Sequence, residues 1–133
     1  MYKLLLFIAC FTAISLQGQK NIYESPRFDA LTTSHRTLAI LPFLTNLDLK
    51  NKVSAADLKM LEEKEGYAVQ DALETYFSKR GKKKKLPIEF QNTKNTKAIL
   101  SQKGVDYRNI DVYTMKQLSE MLGVDGIISG TLD

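Results

Sequence analysis

The first twenty residues limit what this chain can become more than any other segment does. Met1, Tyr2 and Lys3 lead into an unbroken apolar run from Leu4 to Phe11, and Thr12-Ala13-Ile14-Ser15-Leu16 extends it before Gln17-Gly18-Gln19-Lys20 breaks it. A membrane span needs about 20 consecutive apolar residues, so the run is too short to cross a bilayer. One positive charge, a greasy core and a small residue near the break instead make a cleavable export signal. The reading predicts a signal over residues 1–18, cleavage after Gly18 and a mature chain starting at Gln19. A buried amino-terminal strand or helix is the alternative. Nothing later is apolar enough to span, so the mature form is expected to carry no transmembrane helix and to reside in the periplasm or outside the cell.

Cys10 offers a second anchoring chemistry, since a cysteine after Ala9 in an apolar run can accept a lipid. It falls in the middle of the run, and cutting there leaves about six apolar residues where a signal core has seven or more. Lipid attachment at Cys10, with an outer-membrane anchor, is therefore the disfavoured alternative. Cys10 is the only cysteine of the 133 residues, so no disulfide can form within one chain. The remaining 115 residues (133 − 18) must stand on their hydrophobic core, which suffices for one ordinary domain.

Residues 19–36 are polar, contain Pro26, and read as an extended leader. Residues 37–133 read as a single α/β domain. Thr37 to Phe43 is a short apolar strand that Pro42 should end. Ser54 and Asp57 suggest a helix start, and Leu58, Leu61, Val69, Ala72, Leu73, Tyr76 and Phe77 recur at helical spacing as one apolar face. The spacing predicts one helix over about 55–79, bent near Gly66, which costs about 1 kcal/mol against alanine, and closed by Gly81. Leu86 to Phe90 reads as a second strand. Thr93 or Asn95 caps a short helix stopped by Gly104. Thr114 and Gln117 form a capping box for a third helix, with Met115, Leu118, Met121 and Leu122 on its apolar face and Gly123 at its end. Asp125 to Leu132 reads as the last strand. The order strand, helix, strand, helix, helix, strand implies helices packed on a mixed sheet, with crossovers making some strands parallel. Ending on a strand leaves open a continuation with further carboxy-terminal strands.

Two segments together resemble a known group. Leu38-Ala39-Ile40-Leu41-Pro42-Phe43 is a strand ending in Pro-Phe. Leu118-Ser119-Glu120-Met121-Leu122-Gly123-Val124-Asp125-Gly126-Ile127-Ile128-Ser129-Gly130 is a helix, a Leu-Gly-Val-Asp turn and an apolar strand. The pair is similar to bacterial periplasmic domains related to the curli secretion protein CsgG, which share this look with the TolB amino-terminal domain and the lipoprotein activators of penicillin-binding proteins. Ser25-Pro26-Arg27-Phe28-Asp29-Ala30-Leu31 and Ile88-Glu89-Phe90-Gln91-Asn92 look most like uncharacterised secreted members. The resemblance implies assembly and binding rather than catalysis, and it brings no catalytic residues to transfer.

Lys79, Arg80, Lys82, Lys83, Lys84 and Lys85 form the densest charge cluster. It could grip an anionic glycan, a lipid head group or an acidic partner, and export argues against nucleic acid. A solvated helix end is the favoured explanation, because cations also favour the negative pole of a helix. Glu62, Glu63 and Glu65 could suggest paired carboxylates, but no base accompanies them and a hydrated surface accounts for them. His35 stands alone, so no zinc site is expected, and no cofactor motif is present. Tyr67, Tyr76 and Phe77 read as packing groups. The expected protein is a non-enzymatic exported accessory or binding protein of the bacterial envelope. The alternatives are a multimerising structural subunit and a truncated copy of a longer secreted protein. An envelope hydrolase would need a site of a kind the sequence does not display.

Overall fold

In the computed structural model, the described residues are Pro26, Arg27, Ala30, Thr33–Lys84 and Pro87–Asp133, with the side chain of Lys84 excepted. Cys10, Gly18, Gln19, Lys85 and Leu86 lie outside them. The chain divides into two units, Met1–Leu31 and Thr32–Asp133. The sheets and the helices packed on them belong to the second unit.

That unit is α/β, built of short parallel strands and three helices. In chain order the elements are β1 (Thr37–Ile40), β2 (Leu44–Thr45), α1 (Ala55–Lys84), β3 (Glu89–Phe90), α2 (Thr93–Gln102), a 3-10 turn (Ile110–Val112), α3 (Met115–Leu122), β4 (Gly126–Ile128) and β5 (Thr131–Leu132). β1 lies between β3 and β4, β2 pairs with β5, and every pairing among the described residues is parallel.

The last segment, expected as a single strand, is interrupted between β4 and β5, at the same level as the break between β1 and β2. Ile40 pairs with Ile128 and Leu44 with Thr131, so Leu41, Pro42 and Phe43 stand opposite only Ser129 and Gly130. That is a bulge of one residue, and it falls at Pro42, which has no N–H to give to a ladder. Bonding resumes on both sides of it, from Leu41 N to Ile128 O (2.9 Å) and from Leu44 N to Gly130 O (3.0 Å). β1 thus ends at Ile40, just before Pro42, as the sequence suggested, and parallel pairing resumes beyond the proline as β2. Gly130 makes room for the bulge: a Cβ there would lie 2.6 Å from the Phe43 ring.

The main core gathers Ala39 and Leu41 of the sheet with Leu100, Val105, Ile110, Leu118, Leu122 and Val124. Local signals set the helices beneath it. Thr114 Oγ1 accepts from Gln117 N and the Gln117 side chain accepts from Thr114 N, so the capping box forms. Gly123 ends α3 in the left-handed conformation at φ 66°, where a side chain would be strained. Asn92, rather than Thr93 or Asn95, caps α2, because its side chain accepts from Lys94 N and Asn95 N.

The long helix departs most from expectation. It runs on through Gly81 to Lys84, and Gly81 has no positive φ with which to close it. The apolar face does not exist as a buried stripe. Leu61, Ala72 and Tyr76 are exposed, Leu58, Val69, Leu73 and Phe77 are half-buried, and the two buried positions are Gly66 and Gln70. A row spaced by four residues ties the helix to the sheet side instead. Glu62 accepts from Leu47 N at 3.0 Å. Gly66 O accepts from Phe43 N at 3.2 Å. Gln70 Nε2 donates to Ile40 O at 2.6 Å. Glu74 accepts from Asn92 Nδ2, Thr93 N and Thr93 Oγ1.

The last two bonds complete one exchange. β3 runs beside β1 with Glu89 N donating to Arg36 O and Gln91 N to Leu38 O. The next rung would join the residue 93 amide to Ile40 O, but at that point the chain turns into α2. Gln70 takes over the Ile40 carbonyl and Glu74 takes the Thr93 amide. Two side chains one helical turn apart thus satisfy both halves of a rung that never forms, as buried backbone groups require.

Candidate functional site

Among the described residues, β4 and β5 have a partner on one side only. In a parallel ladder, alternate amides point to opposite sides. Asp125 N donates to Thr37 O, and Ile128 O, Gly130 O and Leu132 O accept from the β1–β2 strand. The intervening groups of the Gly126–Leu132 segment are turned the other way. This edge carries none of the usual blockers: Gly126-Ile127-Ile128-Ser129-Gly130-Thr131-Leu132 contains no lysine, glutamate, aspartate or proline. Apolar side chains accompany it. Met115 is 48% exposed and lines a groove of about 250 Å³ with Leu41, Leu44, Tyr113, Gly130 and Thr131, with Asp111 also on its wall.

Asp125 fixes the entry of this edge. Its Oδ2 accepts from both Arg36 N and Thr37 N at 2.9 Å, and its own amide bonds back to Thr37 O. The Thr37 amide, then the Arg36 amide, holds its carboxyl below the usual carboxylate range. The sequence placed Asp125 at the start of the last strand, and its clamp to the start of β1 was not foreseen. A group with a lowered folded pKa contributes stability above its unfolded pKa and loses it as pH falls through the folded value. Asp125→Asn is therefore expected to be less stable than the wild type at pH 7, with a gap that closes below about pH 4. Urea unfolding of both proteins across that range checks it, and a gap independent of pH would contradict it.

A second region surrounds Tyr67. Its ring lies 6.0 Å from that of Tyr107, and Lys97 Nζ sits 4.4 Å from its centroid. Burial, then Glu63, Asp106 and Tyr107, pushes the Tyr67 hydroxyl pKa up. The adjoining cavity, lined by Tyr67, Gln70, Lys97, Ser101 and Asp106, is about 60 Å³. That accommodates water but falls far below the roughly 300–1,000 Å³ of small-molecule sites.

Sequence-derived candidates fall in separate places. Lys79, Arg80, Lys82 and Lys83 are exposed on the last turns of α1, and Lys84 is its final residue. Lys85, with the expected cleavage positions Gly18 and Gln19 and the disfavoured lipid candidate Cys10, lies outside the described residues. Glu62 and Glu63 line a charged cleft of about 260 Å³ with Lys59, Arg108 and Asp111. Glu62 is already engaged by the Leu47 amide, and Glu65 is exposed. His35 is half-buried against Gly126, where a Cβ would meet its Nδ1 at 3.1 Å. No group of three metal-ligating side chains occurs among the described residues, and none of their helices is long and apolar enough to cross a membrane.

No family model, curated protein or solved structure matches the chain. The functional reading therefore rests on the residues alone. The edge was visible in the sequence as an apolar strand without charges. That it lacks a second neighbour became visible only with the pairing.

Proposed function

We propose that this chain is an exported, non-enzymatic binding module of the bacterial cell envelope, acting by strand addition: a partner protein contributes an extended segment to the β4–β5 edge. The observation that carries the reading is the edge itself, uncharged and free of proline over Gly126–Leu132 and unpaired among the described residues. In this mode main-chain bonds supply affinity, and pockets for alternate side chains supply specificity. The groove beside Met115 and Tyr113 is such a pocket. The export part of the reading rests on the amino-terminal run and its break at Gly18.

The resemblance to the CsgG, TolB amino-terminal and penicillin-binding-protein activator group belongs to the same proposal. Its two motif segments are neighbours in space, with Leu38 beside Gly126, Ala39 beside Ile127 and Ile40 beside Ile128. An antiparallel partner segment added to β4 would make the parallel sheet the mixed one that the order of elements implied.

A second reading is favoured by the same edge. Two copies meeting edge to edge would make the chain a multimerising structural subunit, and nothing on the segment opposes self-pairing. The Ser129→Lys/Thr131→Lys double variant separates structure from association, because both side chains are exposed. The variant is expected to keep the wild-type unfolding midpoint and to lose whatever co-purifies with the wild type from the envelope fraction. Retention of that material would overturn the strand-addition reading. Conversion of a wild-type oligomer to a monomer would select the structural subunit. The intact mass of the recovered chain tests export, and the expected value begins at Gln19.

A further inference from the structure

The basic run at the end of α1 is not used by the sheet edge, and its geometry favours a different target. Among the described residues, Phe77 is the last on the helix with a ring contact to the sheet, stacked on Phe90 at 4.8 Å and 12°. Beyond it, Ser78–Lys84 continue the helix for about 10 Å at 1.5 Å per residue. This stretch overhangs: a Cβ at Gly81 would meet nothing within 4 Å. Lys79, Arg80, Lys82 and Lys83 are all exposed along it. At about 100° per residue, the positions of these four and Lys84 fan around roughly 200° of the helix circumference.

That distribution distinguishes between anionic targets. A chain-like polyanion is matched by a stripe or groove of cations. A fan around a projecting tip matches a charged plane, which meets every side of the tip at once. The aromatic neighbour agrees. Tyr76 is 51% exposed, and its hydroxyl accepts from Arg80 Nη1 at 3.0 Å while the guanidinium carbon lies 5.7 Å from its ring centroid. An amphipathic ring beside flexible cationic stems is what a bilayer interface accommodates, with the ring at head-group level and the ammonium groups among the phosphates. We propose that the overhanging end of α1, through Lys79, Lys82, Lys83 and the Tyr76–Arg80 pair, docks this protein on an anionic lipid surface. The proposal does not depend on what occupies the β4–β5 edge.

Vesicle sedimentation tests it with the full chain. One vesicle set is phosphatidylcholine alone and the other contains about 30% phosphatidylglycerol. Comparing them removes any contribution of the apolar amino terminus, which is common to both. The expected result is binding to the anionic vesicles well above the neutral ones, and loss of that excess at high salt. A cation near such a surface contributes roughly fivefold in affinity, so Lys79→Glu/Lys82→Glu/Lys83→Glu should weaken the anionic-specific binding by about 100-fold or more. Tyr76→Ala should weaken it severalfold with an unchanged circular dichroism spectrum. Equal binding to both vesicle sets, no binding to either, or indifference to the triple substitution would overturn the proposal. Complete displacement from vesicles by soluble polyglutamate at matched charge would also overturn it, in favour of an acidic polymer.

Discussion

Gly66→Ala is expected to destabilise the protein by about 2 kcal/mol, whereas the same change at an exposed helix position stabilises by up to about 1 kcal/mol. The sign reverses because α1 crosses the bulged strand at this residue. A methyl group there would overlap the Phe43 carbonyl oxygen and come within 2.6 Å of Tyr107 Cε2. The first obstacle is backbone, so it cannot rotate away, and Phe43 N also donates to Gly66 O. Forcing the helix outward strains that bond and the packing around it, at about 3 kcal/mol for a severe overpacking. Gly81→Ala supplies the matched comparison, because open space surrounds it. It should gain the propensity term and lose nothing. Urea midpoints of the two variants and the wild type decide the matter. A stabilised Gly66→Ala would mean that the helix does not cross where the structure places it.

Gln70→Glu is expected to make stability strongly dependent on pH. Gln70 is 2% exposed, and its amide nitrogen is the partner found for Ile40 O where the β3 rung is missing. A protonated glutamate can donate to that carbonyl from its O–H. An ionised one has only acceptors there and places a charge in a buried site, which raises its folded pKa above the ordinary value of about 4.3. A raised pKa contributes stability that is present below the unfolded value and lost as pH rises through the folded one. Relative to the wild type, the variant should be close to parity near pH 4 and lower by about 3 kcal/mol near pH 7. Gln70→Leu should cost about 1–3 kcal/mol at every pH, because the carbonyl is then left unpaired. A flat difference for Gln70→Glu would show that the side chain does not face Ile40 O.

How much of the fold could be read beforehand depends on the range of the interactions. Capping is local, so Ser54 with Asp57, Thr114 with Gln117, and Gly123 were each legible from their spacing. Ser54 Oγ does accept from Asp57 N, at 3.1 Å. The core helices were legible too, because Leu118 and Leu122 recur on one face and are both buried. The docking of α1 was not legible. Hydrophobic periodicity looks for apolar groups at the seam, whereas here Glu62, Gly66, Gln70 and Glu74 carry the hydrogen bonds across it. Its end, at Phe77 on Phe90, is an apolar contact of the expected face. A polar row at four-residue spacing is indistinguishable from a solvated face until the sheet beside it is known. Gly66 was misleading for the same reason: its local cost to the helix is visible, and its fit against Phe43 is not.

The candidate surfaces divide in the same manner. The lysine run was conspicuous because charge clustering is a property of adjacent residues. Its projection beyond Phe77, which gives it a target, depends on where the helix stops packing. The edge at Gly126–Leu132 was legible as a strand but not as an edge, since a strand's neighbours lie far away in sequence. Asp125 shows the extreme case, clamping Arg36 and Thr37 from 89 and 88 positions away.

The claim that this edge is the working surface is tested most directly by a photo-reactive residue placed at Ser129 in living cells, with exposed Ala72 of α1 as the comparison site. The account predicts that Ser129 captures one defined protein reproducibly and that Ala72 does not. Capture of the chain by itself would assign the edge to self-assembly. Capture of nothing at Ser129, or the same products from both sites, would contradict the account.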